Sequence, residues 1–166
     1  MRVLGIDPGT ASTGFGVVQA DGSRLRAVDH GVVATAAGEP MEQRLAHIFQ
    51  QVALLIERHQ PDAVALEDLY VGGNPRTVLS VGQARGAVLT ACGLVGLSAA
   101  GHTPAEVKGT VCGYGRADKS QVQRMVQAIL ALPEPVTPDH ASDALAVAIC
   151  HAQVGRSRSL MAGAAG

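Results

Sequence analysis

A chain of 166 residues with 47% hydrophobic residues has the size and apolar content of one ordinary domain, and needs neither disulfides nor a structural metal to hold a core. Cys92, Cys112 and Cys150 form no CxxC pair and lie in or beside apolar stretches, which argues against a disulfide scaffold or a zinc ribbon and for buried reduced thiols. The net charge of −1 is unevenly spread, because residues 1–75 carry 5 Lys/Arg against 9 Asp/Glu while residues 76–124 carry 6 against 2, a segregation suited to a polyanion-binding face beside a set of carboxylates.

The chain opens on an apolar run, Arg2 to Asp7, that reads as a strand ended by a carboxylate and the Pro8-Gly9 turn. A charge at such a strand mouth is within reach of a metal or a phosphate. Gly14 to Ala20 and Leu25 to Ala34 follow as strands around an Asp21-Gly22 hairpin turn, completing an antiparallel meander. No signal-peptide pattern is present, since Asp7 interrupts the first apolar run. Between Met41 and His59 the residues Leu45, Ile48, Phe49, Val52, Leu55 and Ile56 recur at helical spacing until Pro61 ends the pattern. Ala63 to Leu69 is an apolar strand with Glu67 near its end, and Val71 to Pro75 is a Gly-rich loop.

Thr77 to Leu94 reads as a helix rich in small residues, Leu97 to His102 as a short strand and Pro104 to Thr110 as a short helix. The uncharged stretch Gly86 to Gly101 is shorter than the ~20 apolar residues that span a bilayer, so the expectation is no membrane and a cytoplasmic protein. Gly113-Tyr114-Gly115 forms a loop before a long helix, Ser120 to Leu132. The final helix is expected to take Thr137 as its cap and Pro138 as its first residue. Residues 155–166 are expected to be a disordered tail, leaving a single domain over 1–154. The implied architecture is α/β: a mixed five-stranded sheet, three antiparallel strands then parallel strands reached by helical crossovers, flanked by helices.

Three places in this plan concentrate chemistry. Asp7 and Glu67 end strands that a mixed sheet can set side by side, and His140 and Asp143, three apart on a helix, share a face. Such an oxygen-rich cluster suits Mg²⁺ or Mn²⁺, and two such ions support phosphodiester hydrolysis. Blander readings stand beside this one. Asp7 is also a suitable turn former before Pro-Gly, and Asp139 competes with His140 for the inward face. Glu67 is harder to set aside, because an unpaired carboxylate in an apolar strand is costly; Asp68 is expected on the opposite face, in solvent.

Taken in order, the stretches GIDPGTASTGFGVV, ALEDLY, GQARGAVL, AEVKGTVCGYGRADKSQVQRMV and DHASDALAVAICH, spanning positions 5 to 151, resemble RuvC-type Holliday-junction resolvases of the ribonuclease H-like superfamily. The resemblance implies catalytic and metal-binding roles for Asp7, Glu67 and Asp143. The family's fourth position falls on His140, where many members have aspartate; imidazole in place of a hard oxygen tilts preference from Mg²⁺ toward Mn²⁺. It also implies that Tyr70 stacks on a base near the junction centre, and that Lys108 and Lys119 contact DNA phosphates. Arg76 and Arg116 are added on charge alone. The expected protein is a homodimer that nicks a four-way DNA junction symmetrically, leaves 5′-phosphate and 3′-hydroxyl ends, and works with a branch-migration helicase complex of the RuvA and RuvB type. An ATP-binding domain of the actin type shares the Asp-x-Gly-Thr hairpin, but the chain has no second such element. A catalytically silent junction-binding module is the remaining alternative.

Overall fold

The computed structural model describes residues 1–68 and 74–164, with backbone alone for 156–164. Its elements are β1 (Arg2–Asp7), β2 (Ser12–Asp21), β3 (Arg24–Ala34), α1 (Met41–His59), β4 (Ala63–Glu67), α2 (Pro75–Leu94), β5 (Ala99–His102), α3 (Pro104–Cys112), α4 (Lys119–Ile129) and α5 (Asp139–Ala164). The sheet order is β3-β2-β1-β4-β5. β1, β2 and β3 pair antiparallel, and β1, β4 and β5 pair parallel, which is the expected mixed sheet.

Several element ends differ from the sequence reading for identifiable reasons. α2 starts at Pro75 rather than Thr77, because the Asn74 side chain accepts the Arg76 N–H at 2.9 Å and Pro75 suits the first helical turn. α4 starts at Lys119, set by a reciprocal Asp118/Gln121 capping box. α3 runs on to Cys112 and stops where Gly113 takes a left-handed φ of 83°. β4 ends at Glu67, short of Leu69, and β5 begins only at Ala99. α5 begins at Asp139, past the expected Pro138, and its backbone continues to Ala164. Beyond 155 the helical backbone follows a proline-free stretch of Gly, Arg, Ser, Leu, Met and Ala.

Strand alternation divides the core between two faces of the sheet. Leu4, Ile6, Val64 and Leu66 pack with Ile48, Val52, Ala84 and Val88 of α1 and α2. Val3, Val18 and Ala65 pack on the other face with Val107, Val122, Val126, Leu145 and Ile149 of α3, α4 and α5. α5 lies unusually close to the sheet. A Cβ at Gly5 or Gly14 would run into the carbonyl oxygens of Ala144 and His140, and one at Gly16 would sit 2.7 Å from the Leu145 side chain. Sandwiched between sheet and α3/α4, α5 is buried from Ala144 through Cys150. The cysteines are free thiols, with Cys92 and Cys150 buried and Cys112 half-buried. Among the described residues no helix is long and apolar enough to cross a membrane.

Candidate active site

β1 and β4 are hydrogen-bonded neighbours running in the same direction, in register through Ile6 and Leu66, so Asp7 and Glu67 leave the sheet side by side. Parity then decides which way they face. Asp7 follows Val3 and Gly5, and Glu67 follows Ala65, all on the α5 side. The close seat of α5 on the β1–β2 glycines brings its first turns over the same strand ends. His140 Nδ1 lies 2.7 Å from Asp7 Oδ2. Asp143, one helical turn on, lies 3.2 Å from the Lys119 ammonium through Oδ2. That ammonium also reaches Asp139 Oδ2 at 3.2 Å, and Asp139 accepts a hydrogen bond from Gln123 at 2.8 Å. His140 therefore faces the cluster, while Asp139 is exposed and turned to α4.

Two clefts meet at Glu67. One, of about 200 Å³, is lined by Glu67, Asp143, Lys108 and Lys119 over an apolar floor of Val107, Val122 and Ala146. The other, of about 350 Å³, is lined by Asp7, Gly9, Glu67, His140 and, from α2, Thr77 and Val78. Burial pushes the Glu67 carboxyl up to about 7, and the negative charges of Asp7 and Asp143 push the same way against the pull of Lys108 and Lys119. Burial also raises Asp143, and outweighs its ion pair with Lys119. Lys119 is the opposite case: burial works against its charge, but the bonds from Asp139 and Asp143 hold its ammonium above the ordinary range.

Mutually repelling acids at one strand edge, together with an imidazole, form a donor set that fits a hard divalent cation, and an ammonium already stands at Asp143 as a stand-in charge. Among the described residues no group of three or more His, Cys, Asp and Glu side chains is closed around a cation position. The reason is visible in the pairing: His140 is turned to Asp7 and Lys119 to Asp143.

Of the expected nucleic-acid contacts, Lys108 and Lys119 line the cleft beside Glu67. Arg76, in the first turn of α2, and Arg116, in the α3–α4 loop, are exposed. Tyr70 lies outside the described residues. Tyr114, which sequence reasoning left as a loop residue, is 47% exposed beside Arg116. Asp68 does take the opposite face but is not simply solvated. It forms a 3.0 Å ion pair with Arg85. The segment after Asp7 is also pinned, by Arg44 Nε donating to the Thr10 carbonyl at 3.2 Å and to Thr35 Oγ1 at 2.9 Å. Nothing in local spacing announces this long-range clamp.

Known proteins share both the sequence and the shape. A family model described as crossover junction endodeoxyribonuclease RuvC matches residues 3–151. The crossover junction endodeoxyribonuclease RuvC of Moorella thermoacetica is 52% identical over 152 residues, covering 92% of this chain and 91% of its own. The Thermus thermophilus RuvC structure superposes with a TM-score of 0.89 at 38% identity, covering 95% of this chain and 96% of that one. A second Thermus thermophilus RuvC structure, in complex with Holliday junction substrate, gives a TM-score of 0.90 at 37% identity with the same coverage.

Proposed function

This chain belongs to the RuvC family of crossover junction endodeoxyribonucleases, enzymes that resolve Holliday junctions in DNA recombination, and we propose that it cuts four-way junctions by paired symmetric nicks at a centre built from Asp7, Glu67, His140 and Asp143. The observation that carries this reading is the meeting of two strand-end acids with the first turns of α5. Two Mg²⁺ or Mn²⁺ ions, when bound, supply an activated water and charge stabilisation at the leaving oxygen. The imidazole in the set favours Mn²⁺. Lys108 and Lys119 wait in the cleft beside Glu67, where a scissile phosphate meets two ammonium groups that can offset charge developing on it. Lys119 can exchange Asp143 for phosphate while Asp139 continues to hold it near the cleft. Glu67, with its raised proton affinity, gives up its proton when positive charge enters the site. The products carry 5′-phosphate and 3′-hydroxyl ends.

The DNA path runs over Lys108, Lys119, Arg76 and Arg116, and Tyr70 stacks on an unpaired base, a contact worth about 1 to 3 kcal/mol. The working unit is a homodimer, because a junction with approximate two-fold symmetry calls for two equivalent active sites. α2 offers the contact. Leu79 and Leu89 are 65% and 40% exposed, and among the described residues nothing lies within 4 Å of a Cβ at Gly86 or Gly93, which leaves this face open to a second copy. A cytoplasmic location and work alongside a RuvA- and RuvB-type branch-migration complex complete the proposal.

A labelled four-way junction titrated with Mn²⁺ and with Mg²⁺ tests this. Paired cuts at symmetric positions are expected, and Asp7→Asn and Glu67→Gln should each lower cleavage by roughly 10³-fold, the scale of losing a group that acts in the transition state. Both variants should bind the junction normally, since the basic surface is untouched. Tight binding without cutting in either metal would make the chain a silent junction-binding module.

A further inference from the structure

Arg85 belongs to the basic central block by sequence, yet its side chain is only 19% exposed and points at the sheet instead of at solvent. One guanidinium nitrogen, Nη1, donates to the Glu67 carbonyl at 2.8 Å. The other, Nη2, donates to Asp68 Oδ1 at 3.0 Å. The backbone explains why this grip falls where it does. The Asp68 N–H donates to the His102 carbonyl at 2.8 Å, so that peptide unit points its N–H at β5. In a trans peptide the C=O points the other way, toward β1, whose pairing with β4 ends at Ile6 and Leu66. The Glu67 carbonyl thus lacks a strand partner, and a half-buried carbonyl needs one. Arg85 takes the place of the missing strand.

Asp68 completes the device. Its carboxylate is seated on Gly101 of β5 so closely that a Cβ there would collide with it, and it holds the second guanidinium nitrogen through a charge-assisted bond. The main chain at 67–68 is consequently fixed from both sides: by β5 through Asp68 N–H, and by α2 through Arg85. Arg85 is itself anchored, because its neighbours Ala84 and Val88 are fully buried against the sheet.

We propose that Arg85 is a positioning residue, a two-pronged clamp on the end of β4 that holds the Glu67 carboxylate where it shares a divalent cation with Asp7 and Asp143. The inference rests on the metal-centre reading of Glu67 given above. It reassigns Arg85 from a polyanion-facing residue to one that acts through the backbone. A clamp and a charge make opposite predictions. Removing a cation near a cluster of acids tightens binding of a divalent ion by simple electrostatics, whereas releasing the end of β4 weakens it.

The decisive measurement is Mn²⁺ binding to the full-length, DNA-free protein, followed by electron paramagnetic resonance of the free ion, for the unsubstituted chain, Arg85→Gln, Arg85→Lys and Asp68→Asn. Junction binding in EDTA and thermal melting are measured in parallel. Arg85→Gln should weaken Mn²⁺ binding about tenfold, within the range reported for loss of a group supporting a ligand. Asp68→Asn should weaken it less, since the amide oxygen still accepts, and Arg85→Lys, with one prong, should fall between Arg85→Gln and the unsubstituted chain. Junction binding in EDTA should stay within about twofold throughout. Unchanged or tighter Mn²⁺ binding in a folded Arg85→Gln overturns the clamp, as does a loss of junction binding as large as the loss of Mn²⁺ binding, which would make Arg85 a DNA contact. If Arg85→Gln does not fold, Arg85→Lys decides on the same terms. Failure of the unsubstituted chain to bind Mn²⁺ or cut a junction would instead remove the metal-centre reading itself.

Discussion

Asp7 and Glu67 on one hand, and His140 and Asp143 on the other, reach the same site by different physics. The first two are placed by strand register: β1 and β4 are bonded neighbours, and alternation alone sends both acids to the α5 face. His140 and Asp143 are placed by packing, through a helix that reaches the strand ends only because Gly5, Gly14 and Gly16 let it press against the sheet. Placement by register tolerates change in neighbouring side chains, and placement by packing does not. A substitution at one of the glycines beneath α5 is therefore expected to harm the helix-borne pair more than the strand-borne pair.

Gly14→Ala is the sharpest way to break that comparison. The new Cβ would meet the His140 carbonyl and its carbon, both rigid backbone atoms of α5, so the helix start must move. Overpacking of this kind costs about 1–3 kcal/mol, and a shift near 1 Å at a catalytic group can cost roughly 10²-fold in rate. Chemical denaturation and junction cleavage at saturating Mn²⁺ report the two effects separately. Full activity in Gly14→Ala would show that α5 does not depend on this contact to deliver His140.

Glu67 offers a smaller effect with a definite sign. Its carboxyl is raised from 4.5 to about 7 in the fold, first by burial and then by Asp7 and Asp143. Between those values the native chain holds a proton that the unfolded chain has released, so without metal this group lowers stability as pH rises from about 4.5 through 7. Glu67→Gln should flatten that part of the curve and raise the metal-free Tm at pH 8 by roughly 2–4 °C, the shift that about 1 kcal/mol produces in a domain of this size. A Tm difference that does not grow between pH 5 and pH 8 would mean that Glu67 ionises normally.

The same division explains what could be read from the chain beforehand. β1 and α1 were legible to the residue, because an apolar run closed by Asp-Pro-Gly and a 3.6-residue apolar period are local signals. The antiparallel-then-parallel order followed from the hairpin and the crossovers. The expectation that Lys108 and Lys119 contact DNA came from family resemblance, while their place beside Glu67 depends on where α3 and α4 pack. Arg85, Asp68 and Arg44 were not legible as clamps, since each bond joins residues distant in sequence. The close approach of α5 was hidden for a similar reason: nothing local to Gly14 and Gly16 points to a helix about 130 residues on, and only the partner helix gives them a purpose.

His140 is where register and packing can be weighed against each other at one atom. Its ring nitrogen binds the strand-borne Asp7 at 2.7 Å, so a cation shared by the two, as proposed above, would have to compete with that contact. His140→Asp replaces the imidazole by a harder oxygen donor and adds a negative charge beside Asp7. The added charge draws either ion equally, but the harder donor favours Mg²⁺, and the ratio of cleavage rates in Mg²⁺ to those in Mn²⁺ should rise by roughly tenfold, the lower end of what a change around a bound ion produces. The comparison is best made at saturating concentrations of each ion, so that altered affinity is not mistaken for altered chemistry. A ratio that does not move takes His140 out of the ligand set and leaves it as a partner that orients Asp7. The helix would then supply a single ligand, Asp143, and Asp139 could not replace His140 without first surrendering Lys119 and Gln123.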